Sequence, residues 1–396
     1  MAEKTKDLST EHMVINMGPS HPVTHGTVKF VATLEGEKII DLKVEVGYLH
    51  RGFEKMCENS TWEQVMPYTD RLNYVSPLIN NVGYALAVEK LIGLDVPERC
   101  KYIRVIACEL SRIADHLTNI AASAMEMGAM TAFLYFVEAR ELIWDLIESF
   151  CGARVTTNYI RIGGLKNDLP EGFAEKTKKA FQGCRQFWHD VNNLLTKNRI
   201  FIDRVRNVGV MPPDEAIAYG FTGPCLRASG IPYDVRKASP YLVYDEMDFE
   251  VPVGEQGDNF DRYLVRMEEI KQSMSIVEQA LEKIPQGPVN VDMPQYRWQP
   301  KEDVYNKIES LIFHFKTVTE GIKPPAGEIY LPVEAANGEL GFYLVSDGTG
   351  KPYKCRVRPP CFPLAAAMPR MVKGSFIADI IPTFDLINMI GGECDR

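Results

Sequence analysis

The sequence predicts an α+β fold, mostly helical, with a central buried helix bundle and a small β-sheet near each end. Three observations carry that expectation. Apolar and polar residues alternate with period two over 28–34 and 38–46, which turns one face of a strand inward and the other outward. From about Trp62 to Phe150, and again over 173–198 and 258–284, apolar positions recur at helical spacing. Three short runs, 328–333, 340–345 and 354–357, return to strand character near the C-terminus.

Taken in order, the first two runs flank Glu35-Gly36-Glu37, a tight turn that joins them into a hairpin. In the first long helix, Ile103, Ile106, Leu110, Ile113, Leu117 and Ile120 trace one apolar stripe, and the helical pattern continues over 131–150. A Gly/Pro-rich stretch, 163–172, interrupts it before a further helical run over 173–198. Residues 209–257 hold too many Gly, Pro and Asp residues for a long helix. Asp258 is placed to cap the next helix, whose stripe opens with Phe260, Leu264, Met267 and Ile270 and which Pro285 ends. A helix over 304–316, the three short strands and two helical segments complete the chain. This order divides it into an N-terminal hairpin and loop region (1–60), a helical bundle with an irregular insertion at 209–257 (61–290), and a C-terminal α/β region (291–396).

With 396 residues, 45% of them hydrophobic, there is apolar material for a large core. The net charge of −9 is spread without a basic stripe, so no nucleic acid partner is expected. Residues 1–10 are polar and charged, which predicts no secretory leader. The most apolar stretch, 127–137, is well short of the roughly 20 residues that span a bilayer, so membrane contact is expected only through partners. None of the nine cysteines belongs to a C-x-x-C pair. Reduced thiols are expected, and no self-contained zinc or iron–sulfur site.

The densest polar constellation lies in the first eighty residues: Gly18-Pro19-Ser20-His21-Pro22-Val23-Thr24-His25-Gly26, His50-Arg51-Gly52 and Arg71-Leu72-Asn73-Tyr74. His21 and His25 stand four apart, a spacing that suits a metal on a helix, but Pro19, Pro22 and Gly26 forbid a regular helix there. No cysteine or carboxylate accompanies them at ligand spacing. The plain alternative is a loop tied down by histidine hydrogen bonds, and no metal held by this chain is expected. The sequence contains no phosphate loop, no G-x-G-x-x-G after a strand and no G-x-S-x-G elbow. Nicotinamide oxidation by this chain itself is therefore not expected.

From Met17 to Arg396 the chain resembles the large, hydrogenase-like quinone-site subunits of respiratory complex I. The resemblance rests on long blocks in order: GPSHPVTHG at 18–26, GYLHRGFEK at 47–55, YALAVEKL at 84–91, GARVTTNYIRIGG at 152–164, VPVGEQGDNFDRYLVRMEEI at 251–270, YLVSDGTGKPYKCRVRPP at 343–360 and GECDR at 392–396. It implies the fold of the nickel–iron hydrogenase large subunit, in which two C-x-x-C pairs hold the metal. Here the corresponding segments, 71–76 and 388–392, carry no thiolate, and Cys394 alone cannot replace four soft ligands. The metal cavity is implied to have become a quinone cavity.

The resemblance further implies a subunit of a proton-translocating NADH:quinone oxidoreductase. Quinone reduction needs groups that donate protons, and the family places a tyrosine at the position of Tyr74 and a histidine at that of His25 beside the headgroup. His21 joins the implied quinone-binding set. Glu126 stands where the family's aspartate supports the histidine. Arg51, Arg71 and Thr156 are implied to lie near a [4Fe–4S] cluster held by a small hydrogenase-like iron–sulfur subunit, and many members carry histidine at the position of Thr156. The implied substrate is menaquinone or ubiquinone. Implied partners are that small subunit, other peripheral-arm subunits and a membrane subunit closing the quinone tunnel, at the cytoplasmic face of a bacterial inner membrane. The rival is a structural or assembly subunit without a redox site of its own, against which His25 and Tyr74 weigh.

Overall fold

The computed structural model of the chain describes residues 12–24 and 26–396. The N-terminal sheet is antiparallel, in the order β1 (Met13–Met17), β2 (Lys29–Glu35) and β3 (Lys38–Glu45). The hairpin lies where alternation placed it. Glu35 pairs with Lys38, and Gly36 takes the positive φ, 62°, that so tight a turn demands. Phe30, Ala32, Leu34, Ile39 and Leu42 turn inward and are buried. β1, with the sequence Met-Val-Ile-Asn-Met, is absent from the sequence-based expectation because apolar residues stand on both its faces, Ile15 and Met17 against the core and Val14 exposed, so no alternation marks it.

Two short helices follow, α1 (Phe53–Asn59) and α2 (Trp62–Thr69). Thr61 and Gln64 exchange side-chain and backbone hydrogen bonds in a capping box that starts α2. The bundle consists of α3 (Pro77–Ile92), α4 (Glu98–Glu126), α5 (Met130–Cys151) and, after the minimal hairpin β4 (Ile160–Arg161) and β5 (Gly164–Leu165), α6 (Phe173–Leu195).

At 29 residues, α4 is the central helix, packed by α3, α5 and two helices from far along the chain. The expected stripe is buried, but so are Arg104, Glu109, Arg112, Asp115 and His116. A helix covered on all sides has no solvent face for its charges, so they are paired inside. Arg104 forks onto Glu89 at 2.6 and 2.7 Å. Glu109 receives Arg236, Tyr244 and Ser273, while His116 and Arg227 meet on Glu269. Removing one member of such a pair leaves a buried charge uncompensated, at a cost of about 3–5 kcal/mol.

After α7 (Arg199–Val205), the stretch 209–257 holds three short helices, α8 (Pro213–Tyr219), α9 (Gly223–Ala228) and α10 (Val235–Ala238). α11 (Asn259–Lys283) starts at its expected cap: the Asp258 side chain accepts from Asp261 N at 2.8 Å. Where one helix was expected over 304–316 there are two, α12 (Lys301–Asn306) and α13 (Ile308–Thr319), parted by Lys307 in extended conformation. A one-residue break is too short to disturb helical spacing.

The C-terminal sheet, β6 (Gly327–Ala335), β7 (Gly338–Ser346) and β8 (Lys354–Arg358), is antiparallel and packs on α3. Contact there is close enough to require glycine: a Cβ on Gly83 would stand 2.9 Å from Val333 Cγ2. α14 (Cys361–Val372) then packs on β3, α15 (Ile380–Ile387) joins α11 in covering α4, and α16 (Gly391–Cys394) ends the chain. The C-terminal segment is thereby carried back to the first eighty residues.

Candidate functional site

Hydrogen bonds stitch that junction together. The carboxylate of Asp395 accepts from Gly47 N at 2.9 Å and Leu49 N at 2.8 Å, and His50 Nδ1 donates to Asp395 O at 2.6 Å. Arg51 Nη2 donates to Arg71 O at 2.8 Å and to Gly392 O at 3.1 Å. Deeper in, Asp115 of α4 joins the segments 71–76 and 388–392. Its Oδ2 accepts from Asn73 Nδ2 at 2.9 Å and Ser76 Oγ at 3.0 Å, and its Oδ1 accepts from Asn388 Nδ2 at 2.7 Å. Asn388 is aimed there by its place just past α15, where it takes a left-handed φ of 56°, a conformation asparagine tolerates better than most residues. The two segments thus face each other across one carboxylate, through two amides and a hydroxyl. Among the described residues, no three His, Cys, Asp or Glu side chains are grouped to hold a metal ion, and all nine cysteines are free and buried.

Beside this junction lies a cavity of about 200 Å³, walled by Tyr74, Val75, Ala122, Phe384, Asp385 and Ile390. Tyr74 is half-buried, and its hydroxyl has no hydrogen-bond partner among the described residues. Burial pushes the phenol's pKa up, reinforced by Cys361 and opposed by the nearby Arg51 guanidinium. Behind the cavity Cys361 Sγ donates to Glu393 Oε2 at 2.6 Å, and burial pushes Glu393 up to about 7. Larger clefts lie elsewhere, of about 740 Å³ beside Arg206 and Phe260 and about 410 Å³ beside Arg161 and Trp298. Size alone would favour them, but neither gathers the residues that the sequence singled out.

Of those residues, Tyr74, Arg51 and Arg71 come together. Arg71 is exposed, donates to Pro67 O and stands 3.5 Å from Asp70. Asp70, buried and pushed up to about 6 mainly by desolvation, accepts from Asn158 N at 3.1 Å. That bond ties the loop containing Thr156 to the residue preceding Arg71. Thr156 is exposed and takes φ of 55°, a rare conformation for a β-branched residue. Glu126 is the half-buried last residue of α4. His21 Nδ1 accepts from Val23 N at 3.2 Å at the start of a single 3₁₀ turn, Pro22–Thr24, so this histidine ties down its own loop. His25 lies outside the described residues. Sequence reasoning missed Asp115, Asp385 and Glu393. Asp385 stands alone in an apolar stretch, while Asp115 beside His116 and Glu393 beside Asp395 and Arg396 sit among other polar residues, and each reads equally well as a solvent-facing position.

Fold and site define a mostly helical α+β chain in which two remote segments wall a small cavity with hydrogen-bonding groups instead of metal ligands. The chain belongs to the family of the 49 Kd subunit of respiratory-chain NADH dehydrogenase, whose family model matches residues 126–396. It is 58% identical over 389 residues to the NADH-quinone oxidoreductase D-subunit 1 of Anaeromyxobacter dehalogenans, covering 98% of this chain and 90% of the relative. Identity to the corresponding D-subunit of Myxococcus xanthus is 54% over 395 residues, covering 100% and 95%. For that of Geobacter sulfurreducens it is 48% over 388 residues, covering 98% and 100%. The chain is therefore a subunit of an oxidoreductase complex, and its partners are the other subunits of that complex. Among the described residues no helix is long and apolar enough to cross a membrane.

Proposed function

We propose that the chain forms the quinone-reduction site of a proton-translocating NADH:quinone oxidoreductase, in the cavity beside Tyr74. The observation that supports this best is the junction at Asp115: segments 71–76 and 388–392 close on a small cavity, and the Tyr74 hydroxyl there has no described partner of its own. The headgroup is that of menaquinone or ubiquinone. A [4Fe–4S] cluster held by the small hydrogenase-like iron–sulfur subunit would supply the electrons, and Arg51, Arg71 and Thr156 would stand near it. Other peripheral-arm subunits surround the chain, and a membrane subunit closes the tunnel at the cytoplasmic face of the bacterial inner membrane.

Quinol formation consumes two protons, and Tyr74 and His25 supply them. Burial keeps Tyr74 a phenol at rest, while the Arg51 charge favours the phenolate left after transfer. His21 holds the loop that leads to His25 and shapes the headgroup side of the site. Glu126 supports His25. Once both protons have left, negative charge stands beside Glu126 in a poorly solvated place, and its relief by proton uptake or loop movement couples reduction to pumping.

The experiment uses the intact complex carrying Tyr74→Phe or His25→Ala, with quinone reduction normalised to an artificial acceptor that draws electrons upstream. Loss of a positioned proton donor is expected to cost about 10²-fold or more. Near-normal turnover of natural quinone in both variants would sink the assignment. Unchanged pumping in Glu126→Gln would remove that residue from the coupling step.

A further inference from the structure

The cavity beside Tyr74 contains a carboxyl group with no part in the scheme above. Asp385, 3% exposed, sits in the last turn of α15. Its backbone carbonyl accepts from Asn119 Nδ2 at 2.6 Å and from Asn388 N at 2.9 Å. Neither carboxyl oxygen, by contrast, has a hydrogen-bond partner among the described residues. The side chain lines the same cavity as Tyr74. Such a group is disfavoured three times over: by lost water, by absent hydrogen bonds and by the negative end of a helix dipole. Asp115 is the contrast, since its two oxygens accept three bonds and hold the fold together.

The charged groups on the elements packed against α15 are engaged elsewhere. From α11, Arg266 donates to the carbonyls of Arg262 and Leu386, and Arg262 to Asn259, Gly209 and Gly257. Arg204 of α7 is taken by Ala378 O and Asp379, and Arg370 of α14 by Glu215. His21, before the 3₁₀ turn that also touches α15, caps its own loop. From α4, Asp115 is satisfied, and Glu126 acts on Asp385 with like charge. Burial first, and Glu126 second, push the Asp385 pKa well above the usual carboxylate range. Asp385 is therefore a neutral acid whose proton has no described acceptor within the protein.

We propose that Asp385 is a further proton donor of the quinone site, its carboxylic acid hydrogen-bonding a headgroup oxygen in this cavity and surrendering its proton as quinol forms. This rests on the quinone-site reading above. A space of about 150 Å³ holds a benzene ring, so the cavity of about 200 Å³ suits the ring end of a ligand. On two-electron reduction by the complex, the O–H bond of Asp385 breaks and a quinol O–H bond forms. The second proton comes from Tyr74 or His25, so Asp385 takes over one of the two transfers given to that pair above. The Asp385 carboxylate then regains a proton from solvent through the half-buried Glu126.

The test is the assembled complex carrying Asp385→Asn, which keeps the shape and removes the acid, alongside Tyr74→Phe. NADH-driven reduction of a short-chain quinone is followed from neutral to alkaline pH and normalised to the upstream artificial acceptor. Asp385→Asn is expected to lower kcat about 10²-fold or more, with KM little changed, and to alter the pH profile of kcat. A wild-type kcat and pH profile, with Tyr74→Phe impaired, would overturn the role of Asp385 and leave the quinone site standing. Wild-type behaviour in both variants and in His25→Ala would overturn the site itself. If the Asp385→Asn complex does not assemble, infrared difference spectra of the unaltered complex with and without quinone decide the matter. A change in a carboxylic-acid C=O stretch is expected, and its absence overturns the proposal.

Discussion

Asp115→Asn probes the join between the two remote segments with the least possible change of shape. Asp115 Oδ2 serves Asn73 and Ser76, and Oδ1 serves Asn388 at 2.7 Å. In the variant, the amide oxygen turned toward Asn73 and Ser76 keeps two bonds. Its nitrogen then meets the Asn388 nitrogen, donor against donor. Asn388 has no free rotation to offer, because the same nitrogen also donates to Asn337 Oδ1. One buried bond to a carboxylate is lost, about 1.5–3 kcal/mol. With a urea slope of roughly 3 kcal/mol/M, the unfolding midpoint of the purified chain, followed by tryptophan fluorescence, should fall by roughly 0.5–1 M. Adding Asn388→Asp restores a donor facing an acceptor, whereas Asn388→Asp alone sets two carboxylates against each other. The change at Asn337 is common to the single and double variants and cancels in the cycle. The double variant should therefore be more stable than the summed singles by about 1.5 kcal/mol or more. Effects that add to within about 0.5 kcal/mol would refute the bridging role of Asp115.

Glu393 carries a pH signature. Burial raises it from 4.5 to about 7, so between those values the folded chain holds a proton that the unfolded chain has released. Its contribution is complete below the unfolded value and is lost as pH rises through about 7, a loss of about 3 kcal/mol. Glu393→Gln should flatten the stability–pH curve by that amount in that window, and an unaltered curve would show that the group is solvated. At Thr156, Thr156→Gly relieves left-handed strain of about 1–2 kcal/mol against roughly 1 kcal/mol of added chain entropy. The urea midpoint should therefore rise slightly, and a clear fall would contradict the strain. In the assembled complex, Thr156→His should steepen the pH dependence of the reduction potential of the [4Fe–4S] cluster proposed above, since histidine gains a proton near neutrality and threonine does not; redox titrations at several pH values compare the two. Elemental analysis of the purified chain should find no stoichiometric nickel, iron or zinc, and about one tightly held metal per chain would refute the absence of a ligand set.

The parts of this fold that were legible in the sequence are those whose burial is one-sided. The β2–β3 hairpin has one inward face, so Phe30, Ala32 and Leu34 alternate with outward residues. α11 announces itself through the Asp258 cap and a stripe with a wet side opposite. α4 shows where that logic stops. Its isoleucines and leucines drew a stripe, yet Arg104, Glu109, Arg112 and His116, which belonged by rule on the solvent side, are buried under other elements: Arg104 meets Glu89 of α3, Arg112 the β6 carbonyls of Glu334 and Ala335, and Glu109 and His116 meet Ser273 and Glu269 of α11. Tyr74, Arg51 and Arg71 stood out in the densest polar constellation of the sequence, but the roles expected of them came from the family resemblance and not from any local rule. Asp115 was invisible because its partner Asn388 is 273 residues away, and no local pattern records a contact at that distance. Asp385 was harder still. In Phe384-Asp385-Leu386 it looks like the polar residue of an exposed turn, and so does Asp115 between Ala114 and His116. What separates them is the number of hydrogen bonds each accepts through its side chain, three for Asp115 and none described for Asp385. A carboxylate that ties segments together and an acid with no described structural partner are the same letter in a sequence. The difference becomes chemistry only when long-range packing has decided which of them is left without a partner.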